Sequence, residues 1–249
     1  MAQILISKND RDEEAYTLKG LAHLDTGAYK EALESFKKAT ELNGIYRPAY
    51  EGLVRLYEKK NNLYELRILY QDMIDKLGEK PEFLSKLCDI NTQDSLNDHA
   101  LDYCRRAIQK SDLVPENHIN LGLIYRNMNE NQKAQEKLRS TADRFRQSAS
   151  AQLVYAQFVE EKKDSVSAYK YFSKCTKLDG QNEVCLLGHA NAAAGIFKMD
   201  EAYEILKKLC LKDRKYAVAV RKVVQHLKVS KKTEWVEKFE TLGEKCMLN

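Results

Sequence analysis

The chain has 249 residues, 43% hydrophobic and 31% charged, with only 10 Gly and 3 Pro. That scarcity of turn residues excludes sandwiches, barrels and βαβ folds, which need them between short elements, and leaves a nearly all-helical chain. A net charge of +4 from 41 basic and 37 acidic residues excludes bulk attraction to nucleic acid, and no run approaches the roughly 18 apolar residues of a membrane span.

Residues 1–12 read as the end of a helix preceding the first repeat, or as an N-terminal cap. The chain then begins mid-repeat, and the alternative this opens is an output or tethering module cut from a larger signalling protein. From Glu13 the sequence falls into rows of 34 without insertion or deletion: 13–46, 47–80, 81–114, 115–148, 149–182 and 183–216, then a degenerate row with a capping helix over 217–249.

The eighth place of the rows carries Gly20, Val54, Cys88, Gly122, Ala156, Ala190 and Val224, and the twentieth Ala32, Leu66, Ala100, Ala134, Ala168, Ala202 and Val236. The twenty-fourth carries Phe36, Tyr70, Cys104, Leu138, Phe172 and Leu206 before failing at Glu240. Places 4, 7, 8 and 11 share one face of a 3.6-residue helix, and places 20, 24 and 27 share one face of a second. Small residues at 8 and 20 let two axes approach, while larger ones at 24 fill the space beside them. Turns fall near Thr26-Gly27-Ala28, Lys60-Asn61-Asn62, Asn129-Glu130-Asn131 and Lys162-Lys163-Asp164, and Pro48, Pro81 and Pro115 open first helices, where a missing N–H is harmless.

This pattern resembles the tetratricopeptide repeat, whose Leu-Gly and Tyr of the first helix and Ala, Phe and Ala of the second are met by Leu121-Gly122 with Tyr125 and by Ala32, Phe36 and Ala39. The resemblance runs from residue 13 to about 230. It implies an all-α, right-handed superhelical solenoid of about seven helix-turn-helix repeats, and a non-enzymatic scaffold that takes a peptide or partner-protein segment in its concave groove. The family's groove places give Ile119, Leu123, Arg126, Leu153, Gln157, Leu187, Asn191, Arg221 and Gln225 as candidate partner contacts, with aliphatics as anchors, amides bonding the partner backbone and arginines meeting acidic groups. The carboxylate clamp of chaperone-binding members is absent, since Thr17, Leu21, Gly52, Glu82 and Lys86 stand at its places in the first three rows.

No chemistry-bearing constellation emerges. The five histidines never fall three or four apart, the glycines lie singly, and no Ser/His/Asp or phosphate-loop arrangement can be placed, so no catalytic, cofactor or metal residues are assigned. Six scattered cysteines without a Cys-x-x-Cys pair read as reduced, small buried side chains in a cytoplasmic protein. From Tyr203 onward 12 Lys or Arg face 6 Asp or Glu, and Lys207, Lys208, Lys212, Arg214, Lys215, Lys231 and Lys232 form a candidate basic patch. Its alternatives are an acidic protein, RNA or an anionic membrane surface, with nucleic-acid or membrane docking the less favoured reading, since few aromatics interleave with the patch to stack single-stranded bases. Self-association through the groove or the C-terminal pair is a further expectation.

Overall fold

A computed structural model of the chain describes residues 12–248. The reading of the first twelve residues therefore lies, Asp12 apart, outside the described residues. The α-helices are α1 (Glu13–Asp25), α2 (Tyr29–Leu42), α3 (Arg47–Lys59), α4 (Leu63–Leu77), α5 (Pro81–Gln93), α6 (Asn97–Lys110), α7 (Pro115–Asn127), α8 (Asn131–Arg144), α9 (Ala149–Glu161), α10 (Ser165–Leu178), α11 (Glu183–Gly195), α12 (Met199–Lys212), α13 (Ala217–Val229) and α14 (Val236–Leu248). No strand occurs among the described residues. None of these helices is long and apolar enough to cross a membrane.

Two compact units divide the chain after Asn129. The N-terminal unit holds the hairpins α1/α2, α3/α4 and α5/α6 followed by α7; the C-terminal unit holds α8 followed by α9/α10, α11/α12 and α13/α14. Within each, every helix packs on its neighbours in sequence, and successive first helices also touch.

The helix ends are built locally. Asp12 Oδ1 accepts from Ala15 N at 2.9 Å, and Asn62, Ser148, Asp164 and Asn182 cap the starts of α4, α9, α10 and α11 in the same way. Each first helix stops at a residue with left-handed backbone: Gly27, Asn61, Ser95, Asn129, Lys163, Phe197 and Lys231, each 34 residues after the last. In six of these turns the next N–H reaches back five residues, as Asn62 N to Tyr57 O and Lys198 N to Ala193 O do, which closes the helix end.

The packing is large against small, as the size classes of the sequence require. Phe36 is fully buried between α1 and α3, where a Cβ added to Gly20 would stand 2.6 Å from its Cε1 and one added to Gly52 2.6 Å from its Cδ1. Phe172 occupies the same place against Gly188 of α11. Polar core residues are tied to the backbone of the preceding row: Tyr50 OH donates to Gly44 O at 3.0 Å, His118 Nε2 stands 3.0 Å from Asp112 O, and Gln152 Nε2 donates to Ala142 O at 2.6 Å.

Two features depart from expectation. The six cysteines are buried, but they are not free thiols: Cys88–Cys104 staples α5 to α6, Cys175–Cys185 joins α10 to α11, and Cys210–Cys246 joins α12 to α14. The separations of 16, 10 and 36 residues form no short motif, because each partner lies on a different helix and only packing brings the pairs together. In the last row, a 3-10 turn over Thr233–Trp235 replaces the opening of the second helix. Its tighter winding advances the helical phase, so Phe239 rather than Glu240 points inward, with Leu242 and Cys246.

Candidate functional site

The first helices of the C-terminal unit, α9, α11 and α13, carry the expected partner contacts on one face, and adjacent members of this set touch. Leu153 and Gln157 on α9 and Leu187 and Asn191 on α11 are half-buried, while Arg221 and Gln225 on α13 are exposed. Leu187 also packs against the core cluster of α11 to α14, so only part of its surface is free. Val184 and Val218, one turn earlier on the same face of α11 and α13, are 51% and 53% exposed.

Arg221 and Gln225 line a cleft of about 650 Å³ between α13 and α14. Its apolar surface comes from Val220, Val224 and Phe239, and its far wall from Glu244 and Met247. The pair Lys228 Nζ to Glu240 Oε1, at 2.6 Å, joins the two helices beside it. The cleft presents an exposed guanidinium and an amide beside an apolar floor.

The three candidates on α7 belong to the N-terminal unit. Leu123 and Arg126 are half-buried there, and Ile119 is only 6% exposed. Ile119 is therefore core: its place on the helix faced the groove in the repeat frame, but packing covers it. The unit has a smaller cleft of about 310 Å³ lined by Arg47, Glu51, Arg55, Glu58, Glu82 and Lys86 over Tyr70 and Phe83. Much of its charge is internally matched, Arg47 with Glu51 at 2.8 Å and Glu82 at 3.5 Å, Lys86 with Glu58 at 3.7 Å.

The basic residues do not gather at one place. Lys208 Nζ donates to Gly180 O, and Lys212 and Lys215 both reach Glu183, beside exposed Arg214, at the C-terminal end of α12. Tyr216 OH also donates to Glu183, and that hydrogen bond, followed by the one from Lys215, holds its carboxyl below the ordinary carboxylate value. Lys207, midway along α12, lies 3.9 Å from Glu204. Lys231 and Lys232 sit by the opposite end of α12, where Lys232 Nζ stands 5.7 Å over the Phe197 ring and Phe197 stacks on His226. A 14-residue helix separates the two groups by about 20 Å.

A polar network that sequence reasoning missed lies between α10, α11 and α12. His189 Nε2 is 3.1 Å from Glu201 Oε1, Tyr169 OH donates to Glu201 Oε2 at 2.8 Å, and Lys198 Nζ donates to Tyr169 OH at 2.7 Å. His189 Nδ1 is buried without a partner, and desolvation pushes the imidazole pKa down despite Glu201. The signal available in the sequence was only a histidine at a contact place, with Tyr169 and Glu201 too distant in the chain to be joined to it. Among the described residues no cluster of His, Cys, Asp and Glu could hold a metal.

The family model for a tetratricopeptide repeat matches residues 13–46. The human anaphase-promoting complex subunit 7 is 27% identical over 121 residues, which are 44% of this chain and 21% of that protein, so the match spans about a fifth of the relative's length. Among solved structures, a tetratricopeptide repeat protein from Parabacteroides merdae superposes with a TM-score of 0.62 at 15% identity, covering 94% of this chain and 98% of its own. The protein YrrB, described as a tetratricopeptide repeat protein with an unusual peptide-binding site, gives 0.56 at 18% identity over 74% of this chain and 95% of its own.

Proposed function

We infer that the chain, whose residues 13–46 match the tetratricopeptide-repeat model and whose fold is that of a tetratricopeptide-repeat protein, is a protein-interaction scaffold. We propose that its C-terminal unit captures a segment of a partner protein along α9, α11 and α13, with the cleft between α13 and α14 as the principal seat. Arg221 meets an acidic group of the partner, Gln225 and Asn191 bond its backbone, and Val220, Val224 and the exposed parts of Leu153 and Leu187 take its apolar side chains. The observation that carries this reading is the cleft itself: exposed Arg221 and Gln225 flank an apolar floor. The peptide-binding site named for YrrB agrees with it in kind.

The protein acts without chemistry of its own in this reading, and no small-molecule substrate or cofactor is called for. Three disulfides and no free thiol among the described residues replace the reduced cysteines expected above, and such bonds are of the kind an oxidising setting maintains. The test is a pull-down from native lysate comparing wild type with Arg221→Glu/Gln225→Ala. Loss of the captured partner with an unchanged melting temperature supports the reading; equal capture by both proteins overturns it.

A further inference from the structure

We propose that Cys210 and Cys246 form a thiol–disulfide exchange site, acted on by a dithiol reductant or its disulfide form, and that its redox state decides whether α14 stays docked on the C-terminal unit.

All six cysteines are buried, Cys246 fully and Cys210 at 2% exposure, and Cys88 and Cys104 sit in a core cluster with Ala100 and Ile124. What sets the third disulfide apart is its place: Cys210 and Cys246 form the floor of a cleft of about 420 Å³ lined also by Tyr203, Lys207, Lys245 and Leu248. Cys246 lies in the last turn of α14, where Met247 and Leu248 are 55% and 86% exposed. A brief local opening of α14 away from α12 uncovers the sulfurs from the cleft without unfolding the unit. The two lysines supply the electropositive surroundings that favour an incoming thiolate and stabilise the departing one.

The exchange balances without any other reactant. One thiolate of the dithiol attacks Sγ of one cysteine, the protein S–S bond breaks, and the other cysteine leaves as a thiolate that takes up a proton. The second sulfur of the reductant then attacks the mixed disulfide, freeing the first cysteine and closing the reductant's own disulfide. Two electrons and two protons pass to the protein, and the reverse sequence oxidises it.

The consequence follows from how little else holds α14. Of its thirteen residues only Phe239, Leu242 and Cys246 are buried. The pairs Lys228–Glu240 and Lys238–Asp200 join exposed side chains and contribute little. A helix of this length is marginal by itself in water. Release of Cys246 therefore loosens α14 and removes one wall of the α13/α14 cleft. That last consequence for binding rests on the function proposed above; the exchange does not.

The oxidised chain is treated with dithiothreitol for increasing times, quenched with N-ethylmaleimide and mapped by peptide mass spectrometry. Cys210 and Cys246 are expected to be alkylated together, at least about tenfold faster than the other four cysteines. Amide hydrogen exchange in α14 should accelerate about a hundredfold at that stage, while α9 to α11 keep their protection. Lys207→Gln/Lys245→Gln should slow the reduction several-fold at an unchanged melting temperature. Alkylation of all six cysteines at one rate, alkylation of Cys210 and Cys246 before any dithiol is added, or unchanged exchange in α14 after their reduction overturns the proposal. Failure of Arg221→Glu to alter partner capture would overturn the binding reading and leave these results untouched.

Discussion

The ring of Phe172 on α10 lies against the backbone of Gly188 on α11, so closely that an added Cβ would fall 2.6 Å from Cδ1. The contact sets the approach of the two hairpins, and Phe36 repeats it against Gly52 in the N-terminal unit. Gly188→Ala is expected to destabilise the protein by about 1–3 kcal/mol through overpacking, despite the better helix propensity of alanine. Phe172→Ala should cost about 3–5 kcal/mol. Urea unfolding of each variant measures both; a neutral Gly188→Ala would mean that the hairpins slide apart freely.

The left-handed turn residues differ in how well they suit their place. Gly27, Asn61 and Asn129 tolerate it, whereas Lys163, Phe197 and Lys231 carry full side chains at φ 61, 60 and 54. Lys163→Gly and Lys231→Gly should therefore each stabilise by about 1 kcal/mol. Phe197→Gly should gain less, since it also gives up the stack on His226 and the contact with Lys232. Thermal melts of the three variants, ranked against wild type, check the order.

His189 gives the stability a pH dependence of known sign. Desolvation, opposed by Glu201 and aided by Lys177 and Lys198, lowers its pKa below the ordinary 6.5, so the folded state favours the neutral ring. The unfolded chain then binds the proton more readily. The contribution of this group is fully present above 6.5 and is lost as pH falls from there through the folded value. The urea midpoint of wild type should fall between about pH 7 and about pH 5, and His189→Phe should flatten that part of the curve. An identical slope in both proteins would remove His189 as its source.

The disulfide within the third hairpin offers a simpler test. Cys88→Ala/Cys104→Ala should lower stability by about 2–4 kcal/mol under oxidising conditions, and by much less when wild type is compared after full reduction. Equal differences in both conditions would assign the effect to side-chain packing rather than to the bond.

The 34-residue period, the all-helical class and the large-against-small contacts were legible in the amino-acid order, because each depends on residues a few places apart on one helix face. Phe36 and Phe172 announced themselves by size at a recurring place. Tertiary structure alone decided the rest. It paired Cys210 with Cys246 across 36 residues, drew Tyr169, His189 and Glu201 from three helices into one network, buried Ile119, and parted Lys207 and Lys208 from Lys231 and Lys232 along α12. A periodic pattern reports which face of a helix turns inward; what that face meets depends on distances between helices, which no local spacing contains.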